Sequence, residues 1–160
     1  MASLRDLKLS YWAYMKTYRY RSHEWRPGVR LTKPLEQARV AVVTTAALYG
    51  PEHEPFDEGF KGGDYTYREI AREADLTSLR IGHRSDAFDS AGLEQDANVA
   101  LPLDRLAEMA RDGRIGEVAP RHFSFMGSIP APARLTRETA PEAAEKLRAD
   151  GVDAVLLTPV

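Results

Sequence analysis

The tightest constraint on the fold is the apolar run Val152, Ala154, Val155, Leu156, Leu157, which follows a helical segment after a single turn at Gly151. Near-continuous hydrophobicity over so few residues predicts a strand covered on both faces rather than a half-exposed edge, and such a strand needs flanking partners. A second run, residues 38–47, is β-branched and apolar, and predicts another buried strand ending near Thr44 and Thr45. Buried strands alternating with helices imply an α/β fold: an open, mainly parallel, Rossmann-like sheet joined by crossover helices. In such sheets ligands bind just beyond the carboxyl ends of the strands. The sequence ends at Val160, at such a strand end, and is expected to be the front half of a longer domain.

The segments between the two runs are less uniform. Leu4, Leu7, Tyr11, Tyr14 and Tyr18 recur every three or four positions, which predicts an amphipathic N-terminal helix over residues 3–20 that packs on its own domain or on a partner. Pro27, Gly28 and Pro34 mark an extended connector. The expected organisation is therefore residues 1–37 as helix and connector, then residues 38–160 as the α/β domain. Residues 49–64, with Gly50, Pro51, Pro55, Gly59, Gly62 and Gly63, read as a long loop of the kind that carries function. Residues 65–70 and 79–83 are short strand candidates, and residues 85–98 a polar loop. Leu103, Leu106, Met109 and Ala110 share a helical face that Gly113 closes. Residues 121–127 form an aromatic segment. The last helix is expected over residues 139–151, with Thr139 as its N-cap and Pro141 in its first turn.

Composition removes several function classes. The 160 residues contain no cysteine, so the chain holds no disulfide, thiolate metal site or Cys nucleophile of its own. Residues 1–37 carry 8 Lys/Arg against 3 Asp/Glu, whereas residues 38–160 carry 14 against 21. The basic charges of the first segment alternate with Tyr and Trp and form no block, which argues against nucleic acid as a partner. No stretch reaches the length of a membrane span, and the N-terminus lacks the apolar core of a signal peptide, so the expected compartment is the cytoplasm. GxGxxG, Walker A, GxSxG and HExxH patterns are all absent.

Few groups remain to carry chemistry. Thr44, Thr45 and Thr158 sit at carboxyl ends of strands, where a hydroxyl either holds a ligand or satisfies loop amides. His83 precedes Asp86, Asp89, Glu94 and Asp96, and so suits a general base or a metal ligand, although its spacing favours no metal. His122, beside Arg121, suits anion binding or, with Phe123 and Phe125, packing. His23 and His53 are the other two histidines.

Five segments, residues 38–46, 79–83, 96–106, 115–127 and 147–160, together resemble the selenoprotein B subunit of glycine, sarcosine and betaine reductases and the related D-proline reductase subunit. Pro120-Arg-His-Phe-Ser-Phe-Met-Gly127 and Asp153-Ala-Val-Leu-Leu-Thr-Pro-Val160 are the most specific of them. The resemblance implies an oxidoreductase subunit whose selenocysteine or cysteine directly follows the strand ending at Val160, a pyruvoyl group on a partner subunit, and a thioredoxin-like or dithiol reductant. It also implies that selenocysteine, encoded by UGA, is read as a stop at that position. On this reading Thr44, Thr45, Arg121 and Thr158 bind substrate, with Arg121 holding a carboxylate, and His83 or His122 transfers protons. The isolated chain would then be inactive. The alternatives are a non-catalytic α/β binding or assembly module that oligomerises through its N-terminal helix, and a metal-dependent hydrolase centred on His83.

Overall fold

The structure is a computed structural model that describes residues 9–17, 28–83, 85, 88 and 90–160. The chain divides into two units, residues 1–30 and residues 31–160. In the first, helix α1 spans Leu9–Thr17; Leu4, Leu7 and Tyr18 of the expected helical repeat lie outside the described residues.

The second unit is built around strand β1, Arg39–Thr44, whose side chains alternate between two cores. Val40 and Val42 face a cluster with Leu48, Ile70, Leu93, Leu101, Leu103 and Leu106. Ala41 faces the opposite way, with Phe123, Phe125, Ala143 and Leu147. A strand that buries both pleat faces must be apolar throughout, which is why this run carries no alternation of polar residues.

One side of β1 is taken by β7, Ala154–Thr158, paired in parallel from Val40↔Ala154 to Thr44↔Thr158. On the other side two short strands share one position: β5, Glu117–Val118, and β6, Arg121–Phe125, both parallel to β1. Strand β3, Tyr67–Ala71, runs antiparallel along the outer side of β6. A separate two-stranded ribbon pairs β2, Leu48–Tyr49, with β4, Arg80–Ile81. The architecture is thus mixed α/β with an open sheet, parallel at its centre and antiparallel at the β3 edge.

Helices cover both faces. On the first lie α2, Ala91–Gln95, and α3, Leu103–Arg111; on the second lies α4, Ala140–Ala149. Both α3 and α4 end in the same way. Gly113 and Gly151, each at φ +69°, turn the chain while Arg114 N–H bonds Met109 O at 2.8 Å and Val152 N–H bonds Leu147 O at 3.0 Å. That six-to-one bond with a left-handed glycine is the Schellman stop.

Three expectations need correction. First, β7 is an edge strand among the described residues: Val155 and Leu156 are partly exposed and Leu157 is 67% exposed, because β7 has β1 on one side only and α4 packs over Val152 rather than over the strand. Second, residues 85–98 are not all loop, since Leu93 buries one face of α2 and Asp96 caps the 3-10 turn Ala97–Val99 by accepting the Asn98 N–H. Third, Thr139 stands at the N-cap position of α4, but its side chain makes no capping bond. The helical path begins upstream, in a wide turn over Leu135–Thr139 where Ala140 N–H reaches back five residues to Leu135 O, and Thr139 itself has helical φ and ψ. Pro141 has no N–H to offer, and a widened turn before it lets the helix continue without the missing bond. The Thr139 hydroxyl instead donates to Tyr65 O at 2.6 Å.

Candidate active site

Parallel pairing brings the carboxyl ends of β1, β6 and β7 to one edge of the sheet, and threonines lock β1 and β7 together there. The buried Thr44 hydroxyl donates to Thr158 O at 3.2 Å and accepts the Ala46 N–H at 3.2 Å. Thr45 N–H also donates to Thr158 O, and the Thr45 hydroxyl accepts the Val160 N–H at 3.0 Å. The Thr158 hydroxyl is committed in the other direction, donating to Ala100 O at 2.6 Å. Thr44 and Thr158 therefore spend their side chains on the fold; the half-buried Thr45 fixes the chain as it leaves β7.

Beside Thr45 opens a cleft of 360 Å³ whose walls include Val43, Phe125, Ile129 and Leu135 and whose rim includes Gly127 and Ser128. The backbone around it is unusual. Ala47 at φ 53° and Ser128 at φ 36° are left-handed without being glycine, and Gly127 lies between β6 and Ser128 at φ +65°. Strained backbone of this sort clusters at sites that need a fixed geometry. Ala47 ties three segments together: its N–H donates to Phe125 O at 2.8 Å and its carbonyl accepts the Gly82 N–H at 2.9 Å. That second bond delivers His83 to the site.

His83 lies face to face with Phe88, ring centroids 4.3 Å apart, and its Nδ1 accepts the Ser85 N–H at 3.2 Å. Its Nε2 is sealed from solvent and has no hydrogen-bond partner among the described residues. A methyl group on Gly127 would meet Thr45 O at 2.6 Å and His83 Nε2 at 3.0 Å, so only glycine fits between them. Burial pushes the His83 pKa down, and the ring is neutral at neutral pH. Of its expected acidic neighbours, Asp86 and Asp89 lie outside the described residues.

The structure does not bring Arg121 and His122 to this edge. Both begin β6 and, in the parallel register that sets Phe123 opposite Val43, lie level with the middle of β1, short of its carboxyl end. The Arg121 guanidinium is held by acidic neighbours: Nε and the adjacent terminal nitrogen grip both oxygens of Asp150 at 2.5 and 3.0 Å, and the other terminal nitrogen meets Glu69 at 3.0 Å. These bonds use three of its five N–H donors and tie the guanidinium to Asp150 and Glu69, away from the Thr45 edge. His122 is fully buried, and burial foremost, with Arg72 nearby, pushes its pKa down to about 4. Its Nδ1 accepts the Val42 N–H at 3.0 Å. His53 is a loop residue whose Nδ1 accepts the Gly50 N–H, and His23 lies outside the described residues.

Residues not singled out in the sequence complete the edge: Gly127 and Ser128, and Ser124, opposite Thr44 in the β1–β6 register and fully buried. Gly127 closes an aromatic strand run, the one pattern that flags it. Among the described residues no group of three or more His, Asp or Glu side chains could hold a metal ion, and no helix is long and apolar enough to cross a membrane.

Comparison with known proteins extends over nearly the whole chain. The family model for glycine/sarcosine/betaine reductase selenoprotein B matches residues 8–160. D-proline reductase subunit gamma from Acetoanaerobium sticklandii is 34% identical over 135 residues, which are 84% of this chain and 52% of that protein. Glycine reductase complex component B subunit gamma from Carboxydothermus hydrogenoformans is 33% identical, and betaine reductase complex component B subunit beta from Peptoclostridium acidaminophilum is 31% identical; each alignment covers 79% of this chain and 29% of the relative. The chain thus spans about half the length of the first relative and about three-tenths of the other two. No solved structure matches. By the family match, which runs from the N-terminal helix through β7, the chain belongs to the glycine/sarcosine/betaine reductase selenoprotein B family.

Proposed function

We propose that this chain is the front portion of an amino-acid reductase subunit acting in the cytoplasm, and that its nucleophile is a selenocysteine or cysteine directly following Val160. The observation that carries the proposal is the anchoring of Val160: its N–H is held by the Thr45 hydroxyl, beside the sealed His83 imidazole. A residue placed next would emerge at the joined carboxyl ends of β1 and β7, where α/β sheets bind their ligands. A thiolate or selenolate there reacts because it is ionised at neutral pH, a state favoured by a nearby hydrogen-bond donor.

The reaction class is reductive cleavage of a carbon–heteroatom bond in a small amino acid or its N-methylated derivative. Two electrons would come from a dithiol, which would end as a disulfide, and a pyruvoyl group on a partner subunit would activate the substrate. In this chain, Thr45 fixes the backbone leading to the nucleophile and His83 lines the approach. Thr44 and Thr158 hold the two strands in register.

The codon after Val160 tests the reading most directly. UGA followed by a long open frame is expected, and the protein made through that codon should be alkylated by iodoacetamide at the residue after Val160. A UAA or UAG codon, or a full-length protein inert to alkylation, would overturn it.

A further inference from the structure

We infer that His83 acts as a hydrogen-bond donor, through Nε2–H, to an anionic sulfur or selenium atom held where the chain leaves β7, rather than as a base that accepts a proton. The inference rests on the nucleophile position proposed above and adds the group that stabilises its charge.

The argument begins with the tautomer. A neutral imidazole carries one proton, and the nitrogen that accepts a hydrogen bond cannot hold it. In His83, Nδ1 accepts the Ser85 N–H at 3.2 Å, so the proton sits on Nε2. That N–H is out of reach of water and has no partner among the described residues. A buried donor left unmatched costs roughly 1–3 kcal/mol, and stacking on Phe88 prevents the ring from swinging out to solvent without losing its aromatic contact. His122 Nε2 is buried and unmatched in the same way but within the sheet, whereas His83 Nε2 lies beside Gly127, which borders the cleft, where an acceptor could be brought to it.

The surroundings indicate what that acceptor is. His83 Nε2 and Thr45 O lie 3.0 and 2.6 Å from the spot that a side-chain carbon on Gly127 would fill, so the N–H and the Thr45 backbone border the same small space without bonding each other. Thr45 is also the residue whose hydroxyl holds Val160. The nearby cleft walls, Val43, Phe125, Ile129 and Leu135, bring no cation. Among the described residues no charged group contributes to the His83 titration; burial alone acts. A large, weakly hydrated anion such as a thiolate or selenolate suits a single neutral donor in an apolar wall. A carboxylate, strongly hydrated, would demand a cation or several donors.

Two measurements test this. The first is long-range 15N–1H NMR of the 160-residue chain, which reads the His83 tautomer; Nε2–H is expected, and an Nδ1–H ring overturns the inference whatever the nucleophile proves to be. The second uses the chain carried through the position after Val160 with a cysteine there, and follows the iodoacetamide rate against pH with His83 intact and in His83→Ala, folding being checked by circular dichroism. Loss of the donor is expected to raise the thiol pKa by about one unit, a roughly tenfold drop in thiolate on the acid side of the profile. A reactive cysteine with the same profile in both proteins overturns the role of His83 while leaving the proposed function standing. A cysteine unreactive in both overturns the nucleophile position, and with it this inference. His83→Phe, which preserves the stack on Phe88 but not the N–H, should behave as His83→Ala if donation is what matters.

Discussion

The Nδ1 of His122 accepts the backbone N–H of Val42 at 3.0 Å, a side-chain bond filling a place in the sheet ladder. It falls where β5 gives way to β6: Ala119 N–H still bonds Val40 O at 2.8 Å, but Pro120 turns its carbonyl away to the Arg72 N–H. Without His122 the Val42 amide would be buried and unmatched in the middle of the central strand. The residue is structural, and its neutral state is what the structure requires.

From that relationship a pH dependence follows. The folded-state pKa of His122 is about 4, against 6.5 for a free imidazole. Between those values the unfolded chain binds a proton that the folded chain does not, so stability is full above pH 6.5 and falls as pH drops towards 4. Over the whole window the loss is roughly 3 kcal/mol by linkage. Urea melts at half-unit pH steps should show this slope, and His122→Asn, whose amide oxygen can replace Nδ1 without titrating, should flatten it. A slope unchanged in that variant would assign the effect to other groups.

Gly127→Ala should be among the most damaging small substitutions in the chain. The new methyl would lie 2.6 Å from Thr45 O and 3.0 Å from His83 Nε2, at a φ of +65° that alanine resists. Left-handed strain alone contributes about 1–2 kcal/mol, and displacement of Thr45 or His83 adds to it. The expected outcome is a loss of at least 2 kcal/mol, on the order of that strain plus the clash, together with altered NMR shifts at Phe88. Wild-type stability would mean that β6 and β1 can separate here at little cost.

How much of this could be read in the sequence depends on what each feature needs. The cores around Val40, Val42, Leu103 and Leu106 are local periodicity, and so are the glycine stops at Gly113 and Gly151; both are legible because the determinants lie within a few residues. Strand order is not local. Leu156 and Leu157 look as buried in sequence as Val42, yet among the described residues β7 pairs with β1 alone and both are exposed; an apolar pattern does not say how many neighbours a strand has. Arg121 and Thr45 both adjoin strands, but the parallel register of β6 against β1 sets Arg121 level with the middle of β1, short of Thr45. His83 and His122 were indistinguishable as letters; a single turn at Ala47 and a break at Pro120 give one to the site and the other to the core.

Asp64 anchors the long loop after β2. Burial works against its charge, but the Thr66 hydroxyl, the Asp57 and Thr66 amides and the nearby Arg68 outweigh it and hold its pKa below the usual carboxylate value. Arg68 completes the staple by donating to Glu54 O at 2.7 Å and Pro55 O at 3.0 Å while lying over the Phe56 ring. Asp64→Ala, which leaves these donors unmatched, is expected to cost about 2 kcal/mol and to speed hydrogen exchange across residues 50–66. Since the folded pKa is depressed, this contribution is present above the unfolded value of 3.8 and vanishes as pH falls through the folded one. Exchange rates equal to wild type in the loop would show that the 50–66 segment is held by its aromatic contacts instead.

The open side of β7 governs behaviour at high concentration. The side chains of residues 154–160 carry no charge, and in the 160-residue chain Val155, Leu156 and Leu157 expose apolar surface along the side of β7 away from β1. Edges without charge or proline in the pairing register invite strand addition from another molecule. Sedimentation velocity on the 160-residue chain should therefore show concentration-dependent association. Leu157→Lys, at the most exposed position, should suppress it while changing stability by less than about 0.5 kcal/mol, the range for surface substitutions. If Leu157→Lys instead unfolds the chain, Leu157 is buried and the edge position of β7 is wrong; if association persists unchanged, the contact lies elsewhere on the molecule.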